Sequence, residues 1–394
     1  MTLLGWIIFI FALLFSIMLH EFGHFLTAKK FHMKVTQFFV GFGQTLWSTV
    51  RGETEYGIKA LPAGGFVKIV GMTRLEEVDV ADEPRSFSRQ PYWQRMIVLG
   101  AGSFMHFLLA FVLLFILALG IGLANSSSAT IGAIDPCVPK SETAATCVKS
   151  DPASPAAKSG FRAGDKIVAL AGKPVHSWDQ LGAAIRAQPA GTPVAVTVVR
   201  DGHRLTLHPS LATINGRKGS YLGISPAVVY QTVSPISAVR YAGTEFGTIV
   251  TGSVSALGSI PKAIPELFAK NRSSTAGGNV TSVVGAGEYT GEAFAAKVGW
   301  QTKVTVVLYI VISLNIFVGL FNLLPLLPLD GGHLAVVIYE SIRSKIYRLL
   351  RRPDPGLVDM RKLLPLSVGV FALLVGFGLL LIMADLINPV HIPQ

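Results

Sequence analysis

Charge is what this chain has least of. Only 14% of its 394 residues are charged, and 23 acidic residues face 34 Lys and Arg. An ordinary soluble domain carries about a quarter charged residues, so that class is excluded. The deficit is filled by apolar residues, which make up 51% of the chain at a mean hydropathy of +0.52. That composition belongs to membrane proteins. Cysteine is also scarce, with only Cys137 and Cys147 present. Outside the cytoplasm such a pair permits a disulfide, with two free thiols or a metal contact as the alternatives. The first apolar stretch, Leu3–Leu26, lacks both a basic leader and a small-residue cleavage site. It is therefore expected to stay in the protein and not to be removed as a signal peptide.

The apolar residues gather in four stretches: Leu3–Leu26, Met96–Ala124, Val304–Leu327 and Leu366–Ile387. Each is long enough to cross a hydrocarbon core of about 30 Å. The net charge of +11 then reports orientation, with no nucleic-acid contact implied. Lys29, Lys30 and Lys34 follow the first span, and Arg85, Arg89 and Arg95 precede the second. Arg343, Lys345, Arg348, Arg351, Arg352, Arg361 and Lys362 lie between the third and fourth. Those segments are expected on the cytoplasmic side. Both termini and the long segment 125–303 then fall outside.

Inside the first span stands His20-Glu21-Phe22-Gly23-His24. Two histidines four apart share one helix face and suit two corners of a tetrahedral Zn²⁺. Glu21 beside them is a candidate general base for the attacking water. Ionisable groups at bilayer depth are costly, so they are functional or paired. A catalytic zinc takes a third protein ligand. The third span ends in Asn322-Leu323-Leu324-Pro325-Leu326-Leu327-Pro328-Leu329-Asp330-Gly331-Gly332-His333, where two prolines break the helix ahead of Asp330. Depth agrees: His20 lies about 25 Å inward from Leu3 at ~1.5 Å per residue, near the level where the third span ends. The other reading is that Asp330 caps the helix opening at Gly331.

The remaining segments read more coarsely. Residues 57–71 alternate β-formers with Gly and Pro, which suggests a short hairpin lining the site or lying in the cytoplasm. Residues Arg74–Arg89, with Glu76, Glu77, Asp79, Asp82 and Glu83, read as a solvated loop. Beyond 125, a strand at 129–134 precedes a helix ended by Gly160, a turn at Ala163-Gly164-Asp165, a strand and a turn at Ala171-Gly172. A helix capped by Ser177 follows, then two strands joined by Asp201-Gly202. This order resembles a bacterial PDZ domain over about 129–212, which binds peptides by strand addition or acts as a steric cap. Residues 234–270 look amphipathic, suited to the outer membrane surface, with breaks at Pro235, Pro261 and Pro265. Residues 271–279 read as a Ser/Gly loop.

Together these motifs resemble the site-2 proteases, the intramembrane zinc metalloproteases, in their bacterial PDZ-containing form. The resemblance rests on His20–His24, on Asn322 through Asp330-Gly331-Gly332, and on the Pro62–Gly71 stretch. It implies a polytopic α-helical membrane protein with four transmembrane helices, a membrane-associated β-hairpin and an inserted extracytoplasmic α+β PDZ domain. The expected boundaries are 1–27, 95–124, 304–332 and 365–388 for the spans. The cytoplasmic segment with its 57–71 hairpin is 28–94. The PDZ domain is 128–212, a linker with amphipathic helices 213–303, and a cytoplasmic loop 333–364. The resemblance further implies Zn²⁺ on His20, His24 and Asp330, with Glu21 as base. Asn322 would orient substrate or stabilise the reacting carbonyl, and Gly64, Gly65, Phe66 and Val67 would bind substrate along the hairpin. Asn315 is a weaker polar candidate. The expected partners are the lipid bilayer, single-pass membrane substrates of the anti-sigma-factor type or remnant signal peptides, and a peptide or trimmed substrate end at the PDZ domain. The expected location is the bacterial cytoplasmic membrane, in regulated proteolysis after ectodomain trimming. One departure stands out: where the family often has Gly-Pro-x-x-Asn, this chain has Gly102-Ser103-Phe104-Met105-His106. A peptide-binding adaptor with a structural metal does not need Glu21. A metal transporter needs polar residues along a pore, and spans two and four are nearly bare of them.

Overall fold

A computed structural model describes residues 2–73, 78–139, 147, 151–215, 218–269, 272, 280–296 and 298–389. The chain divides into two compact units, one of residues 1–117 with 235–392 and the other of 118–234. The expected loops at 74–77 and most of 271–279 lie outside the described residues.

The first unit opens with helix α1, Thr2–Lys30. Its apolar residues Leu3, Ile7, Phe11 and Phe15 point outward, while Gly5, Ser16, His20, Gly23 and His24 are buried. Lipid is as apolar as leucine, so a spanning helix buries its small and polar residues instead. Lys29 and Lys30 close its last turn, where cations suit the helix dipole. Strands β1, Val35–Arg51, and β2, Thr54–Ile69, follow as an antiparallel sheet. Both are bent. Residues 38–40 pair on one edge with 65–67 and on the other with 56–58, and residues 47–51 then pair with 54–58. The expected hairpin within 57–71 is therefore corrected: its two halves pair with β1, not with each other. Gly41 and Gly43, at φ +85° and +87°, supply the left-handed backbone where β1 turns. Helix α2, Tyr92–Ile116, completes this half.

The second unit is built around a sheet. Strand β3, Leu123–Asn125, and strand β4, Ile131–Ile134, lead into the short helix α3, Pro155–Lys158, capped by the Ser154 hydroxyl. Strands β5, Lys166–Leu170, and β6, Lys173–Pro174, precede helix α4, Trp178–Ala187, whose first turn donates from Gln180 N to Ser177 Oγ at 3.2 Å. Strands β7, Val196–Arg200, and β8, His203–Leu207, complete a four-stranded sheet of order β6-β5-β7-β8. Asp201 and Gly202 both take positive φ at the β7–β8 turn, as a two-residue hairpin with this twist requires. Strands β9, Ile224–Pro226, and β10, Val229–Gln231, return to pair with β4 and β3. The unit therefore runs past the expected boundary at 212, because β4 needs β9 as partner and Leu222 belongs to the core. That core is aliphatic, with Ile131, Ile167, Leu181, Val196 and Val198 buried together. Cys137 and Cys147 are joined by a disulfide.

The first unit then resumes. Helix α5, Pro235–Ala263, runs on through Pro261, and Ala242 packs with Ala110, Leu114, Ile312 and Ile316. It thus lies against the spanning helices and not on a membrane surface alone. Helix α6, Val283–Ala295, meets α1 where Gly287 faces Trp6 and Gly5 faces Thr290. Helix α7, Trp300–Asn322, ends ahead of the Asp330 motif that the expected segment 304–332 also held, and helix α8, Asp330–Leu349, occupies much of the expected loop 333–364. Prolines 325 and 328 account for the break. Helix α9, Leu364–Ile387, closes the unit. Among the described residues, four stretches are long and apolar enough to cross a membrane: Thr2–Lys30, Tyr92–Ile121, Trp300–Asn322 and Met360–Ile387.

Candidate metal centre

Three helices bring the site together. α1 presents His20 and His24 one turn apart, and Asp330 stands in the first turn of α8. His20 Nε2 lies 3.1 Å from Asp330 Oδ2, His24 Nε2 lies 3.2 Å from the same oxygen, and the two Nε2 atoms are 3.2 Å apart. α2 supplies the floor. A Cβ on Gly102 would fall 2.5 Å from both His20 Cε1 and His24 Nε2, and one on Gly23 would fall 2.5 Å from Ala101 O. Only glycines let α1 and α2 approach this closely.

The two histidines are held differently. His24 Nδ1 donates to Val98 O at 2.7 Å, which leaves Nε2 as the lone-pair nitrogen of a neutral ring. His20 Nδ1 is buried and has no hydrogen-bond partner. Its ring packs instead against His106, with centroids 5.0 Å apart. His106 Nδ1 donates to Asn315 Oδ1 at 2.8 Å, and Asn315 Nδ2 donates to Ser16 Oγ at 3.0 Å and to Val311 O at 2.8 Å. A polar chain thus ties α2, α7 and α1 together behind His20. The sequence singles out His106 as a departure from the family pattern and Asn315 as a weaker polar candidate, but nothing in it pairs them.

The other candidates are distributed around this centre. Glu21 is half-buried, within electrostatic reach of both histidines and Asp330. Strand β2 passes beside it. A Cβ on Gly65 would lie 3.4 Å from Glu21 Cγ and 2.7 Å from Met18 Sδ, and the Val67 amide is within reach of the Glu21 carboxylate. Gly64 packs under the Phe42 ring, and Phe66 stacks on Phe39 and Phe42. Asn322 is the last residue of α7, half-buried, and shares no hydrogen bond with the triangle. His333 sits half-buried in the first turn of α8. Gly331 and Gly332 bring α8 against the 323–327 backbone, where a Cβ on Gly332 would fall 2.5 Å from Leu327 N.

Residues 8–350 match Peptidase family M50. This chain belongs to peptidase family M50. Over its full length it is 34% identical to zinc metalloprotease Rip1 of Mycobacterium tuberculosis, covering 100% of both chains. It is 35% identical to zinc metalloprotease Rip1 of Mycolicibacterium smegmatis, covering 99% of each. Like other M50 proteins it is a multi-pass membrane zinc metallopeptidase, with Zn²⁺ as its cofactor.

The M50 centre fits that ion on its own geometry. Two imidazole nitrogens and a carboxylate oxygen converging at 3.1–3.2 Å need a proton or a metal cation among them. Ligands at about 2.0–2.2 Å from a tetrahedral zinc stand about 3.3 Å apart, which is close to this triangle. Among the described residues, these three form the one cluster of metal-binding side chains of this kind.

Proposed function

We propose that this protein is an intramembrane endopeptidase that cuts single-pass membrane proteins after their outer domains have been trimmed. The observation that carries the reading is the His20–His24–Asp330 triangle at the end of a spanning helix, with Glu21 and the β2 edge beside it. His20, His24 and Asp330 would hold the zinc. The bound ion supplies Lewis-acid polarisation of the scissile carbonyl and of the attacking water. Glu21 takes the water proton and passes it to the leaving amine. Asn322 orients the substrate carbonyl.

A transmembrane helix hides its peptide bonds in its own hydrogen bonds, so it must unwind before cleavage. Residues 65–69 of β2 are paired with β1 on one side only. Their other edge offers backbone donors and acceptors to an extended segment. Gly64 and Gly65 carry no side chain to hold a substrate strand off, while Phe66 and Val67 contact it. The outer unit is a PDZ domain in this reading. Its sheet and capped helices support that assignment, and it admits trimmed substrate ends while excluding bulky ones. The basic segments at 29–34, 85–95 and 343–362 support a reading in which both termini lie outside the cytoplasmic membrane of a bacterium. Anti-sigma factors and remnant signal peptides are the substrate classes of this reading.

The test is cleavage of a truncated single-pass substrate by the purified protein beside its Glu21→Gln variant, with zinc measured in both. The variant is expected to keep its zinc and lose about 10²–10⁴-fold in rate. Equal cleavage by the two proteins sinks the assignment of Glu21.

A further inference from the structure

Helix α8 has a face that the protein itself does not use. Val337, Glu340, Ser341 and Ser344 are buried, whereas Tyr339, Ile342, Ile346 and Leu349 are exposed, Leu349 by 83%. At about 100° per residue these four form one stripe opposite the buried one. Arg343 and Lys345 fall on its two flanks. The Arg343 guanidinium lies over the Tyr339 ring at 5.4 Å and donates to Gly356 O at 2.6 Å. Between Ser341 and Leu363, seven basic residues face only Asp354 and Asp359, an excess of five positive charges.

The tethers of α8 decide what such a face meets. Only residues 323–329 separate it from the end of α7, and only 350–363 from the start of α9. Both neighbours are long and apolar enough to span a membrane, and α8 is not. An apolar stripe flanked by cations and leashed at both ends to a bilayer has the chemistry of an interfacial helix. Basic side chains there snorkel to the headgroups and are attracted to anionic lipid.

We propose that α8 lies in the plane of the membrane interface, with its stripe among the acyl chains and its flanking Arg and Lys on anionic phospholipid headgroups. The proposal rests on α7 and α9 crossing the membrane and not on the peptidase reaction. It has a consequence for the site, because Asp330 is the first residue of α8. Anchoring the helix also anchors that carboxylate.

The experiment uses the full-length protein in nanodiscs of phosphatidylcholine with phosphatidylglycerol, carrying a nitroxide at Ile346→Cys. The nitroxide is expected to be reached more readily by oxygen than by a water-soluble nickel chelate. The variant K345Q/R351Q/R352Q leaves the hydrogen-bonded Arg343 in place. It is expected to bind phosphatidylglycerol about ten-fold more weakly than wild type, at unchanged zinc content. A nitroxide reached preferentially by the nickel chelate overturns the proposal. So does wild-type phosphatidylglycerol binding by the triple variant, or a nitroxide shielded from both reagents by a protein partner.

Discussion

The two units solve the problem of an interior in opposite ways. The 118–234 unit buries aliphatic residues such as Ile131, Ile167 and Val198, and most of its charges lie toward its surface. The spanning unit buries His20, His24, Arg95, His106, Arg272, Asn315, Glu340 and Asp385 and turns Leu3, Phe11, Phe371 and Leu373 outward. Water drives the first arrangement, because apolar surface is costly there. Lipid removes that drive, and what remains to specify an interior is hydrogen bonding, ion pairing and close glycine contact. Gly23, Gly102 and Gly319 make such contacts, Gly102 against His20 and His24 and Gly319 against His106. The same inversion explains how a charged triangle is housed at all: it occupies the one part of a spanning bundle that lipid does not reach.

The Arg95–Glu340 pair is the place to break this comparison hardest. Arg95 Nη2 donates to Glu340 Oε2 at 2.8 Å, both side chains are fully buried, and Val358 N donates to the other carboxylate oxygen. The guanidinium also lies over the Phe87 and Tyr92 rings. Arg95→Ala removes the guanidinium from a buried carboxylate and is expected to cost about 3–5 kcal/mol. The double replacement Arg95→Met with Glu340→Leu removes both charges and is expected to recover most of that loss. Denaturation of the two variants in detergent checks the difference. A double variant as weak as the single one would show that the pair supplies net stability and not only mutual compensation.

A smaller effect is expected behind the metal centre. His24 is fixed by a backbone carbonyl, whereas His20 is fixed by the His106 ring and, through it, by Asn315 and Ser16. His106→Ala removes that support and is expected to lower zinc affinity by about ten-fold, in the range for groups that orient metal ligands. Asn315→Ala acts one step further out and is expected to do less. Competition with a chelator measures both. Unchanged affinity in His106→Ala would mean that Gly102 and the helix backbone alone orient His20.

The comparison also explains what was legible beforehand. His20, His24 and Asp330 stood out because a polar residue in an apolar run is costly and needs a reason. The turns at Ala171-Gly172 and Asp201-Gly202 and the cap at Ser177 are legible because each is a local contract between a residue and its own backbone. What stayed hidden is non-local. Residues 65–69 pair with a strand about thirty positions earlier, so their composition suggested a hairpin but not its partner. Arg95 read as an orientation charge, since its partner Glu340 lies 245 positions away. The amphipathic period of α8 is masked in the sequence by its many basic residues, which topology alone accounts for.

The mildest test belongs to the 118–234 unit, where the buried Asp165 carboxylate pairs with the half-buried Arg200. Asp165 Oδ1 accepts from Arg200 Nε at 2.7 Å, Oδ2 accepts from Arg200 Nη2 at 2.8 Å, and the Arg162 amide donates to Oδ2 at 2.9 Å. Burial alone would raise the Asp165 pKa, but these donors outweigh it and hold the carboxyl below the ordinary aspartate value. A depressed folded pKa stabilises the protein fully above the unfolded value, near 3.8, and the contribution is lost as pH falls through the folded value. The melting temperature of the 118–234 unit in the full-length protein is therefore expected to be flat from neutral pH down to about 5 as far as this pair is concerned, and to fall below about 4. Asp165→Asn should remove that acid-side slope while lowering stability at neutral pH. If the variant keeps the wild-type slope, the acid sensitivity of the sheet comes from other carboxylates, and the pair beside β5 and β7 is not what the 118–234 unit relies on in place of a buried charge network.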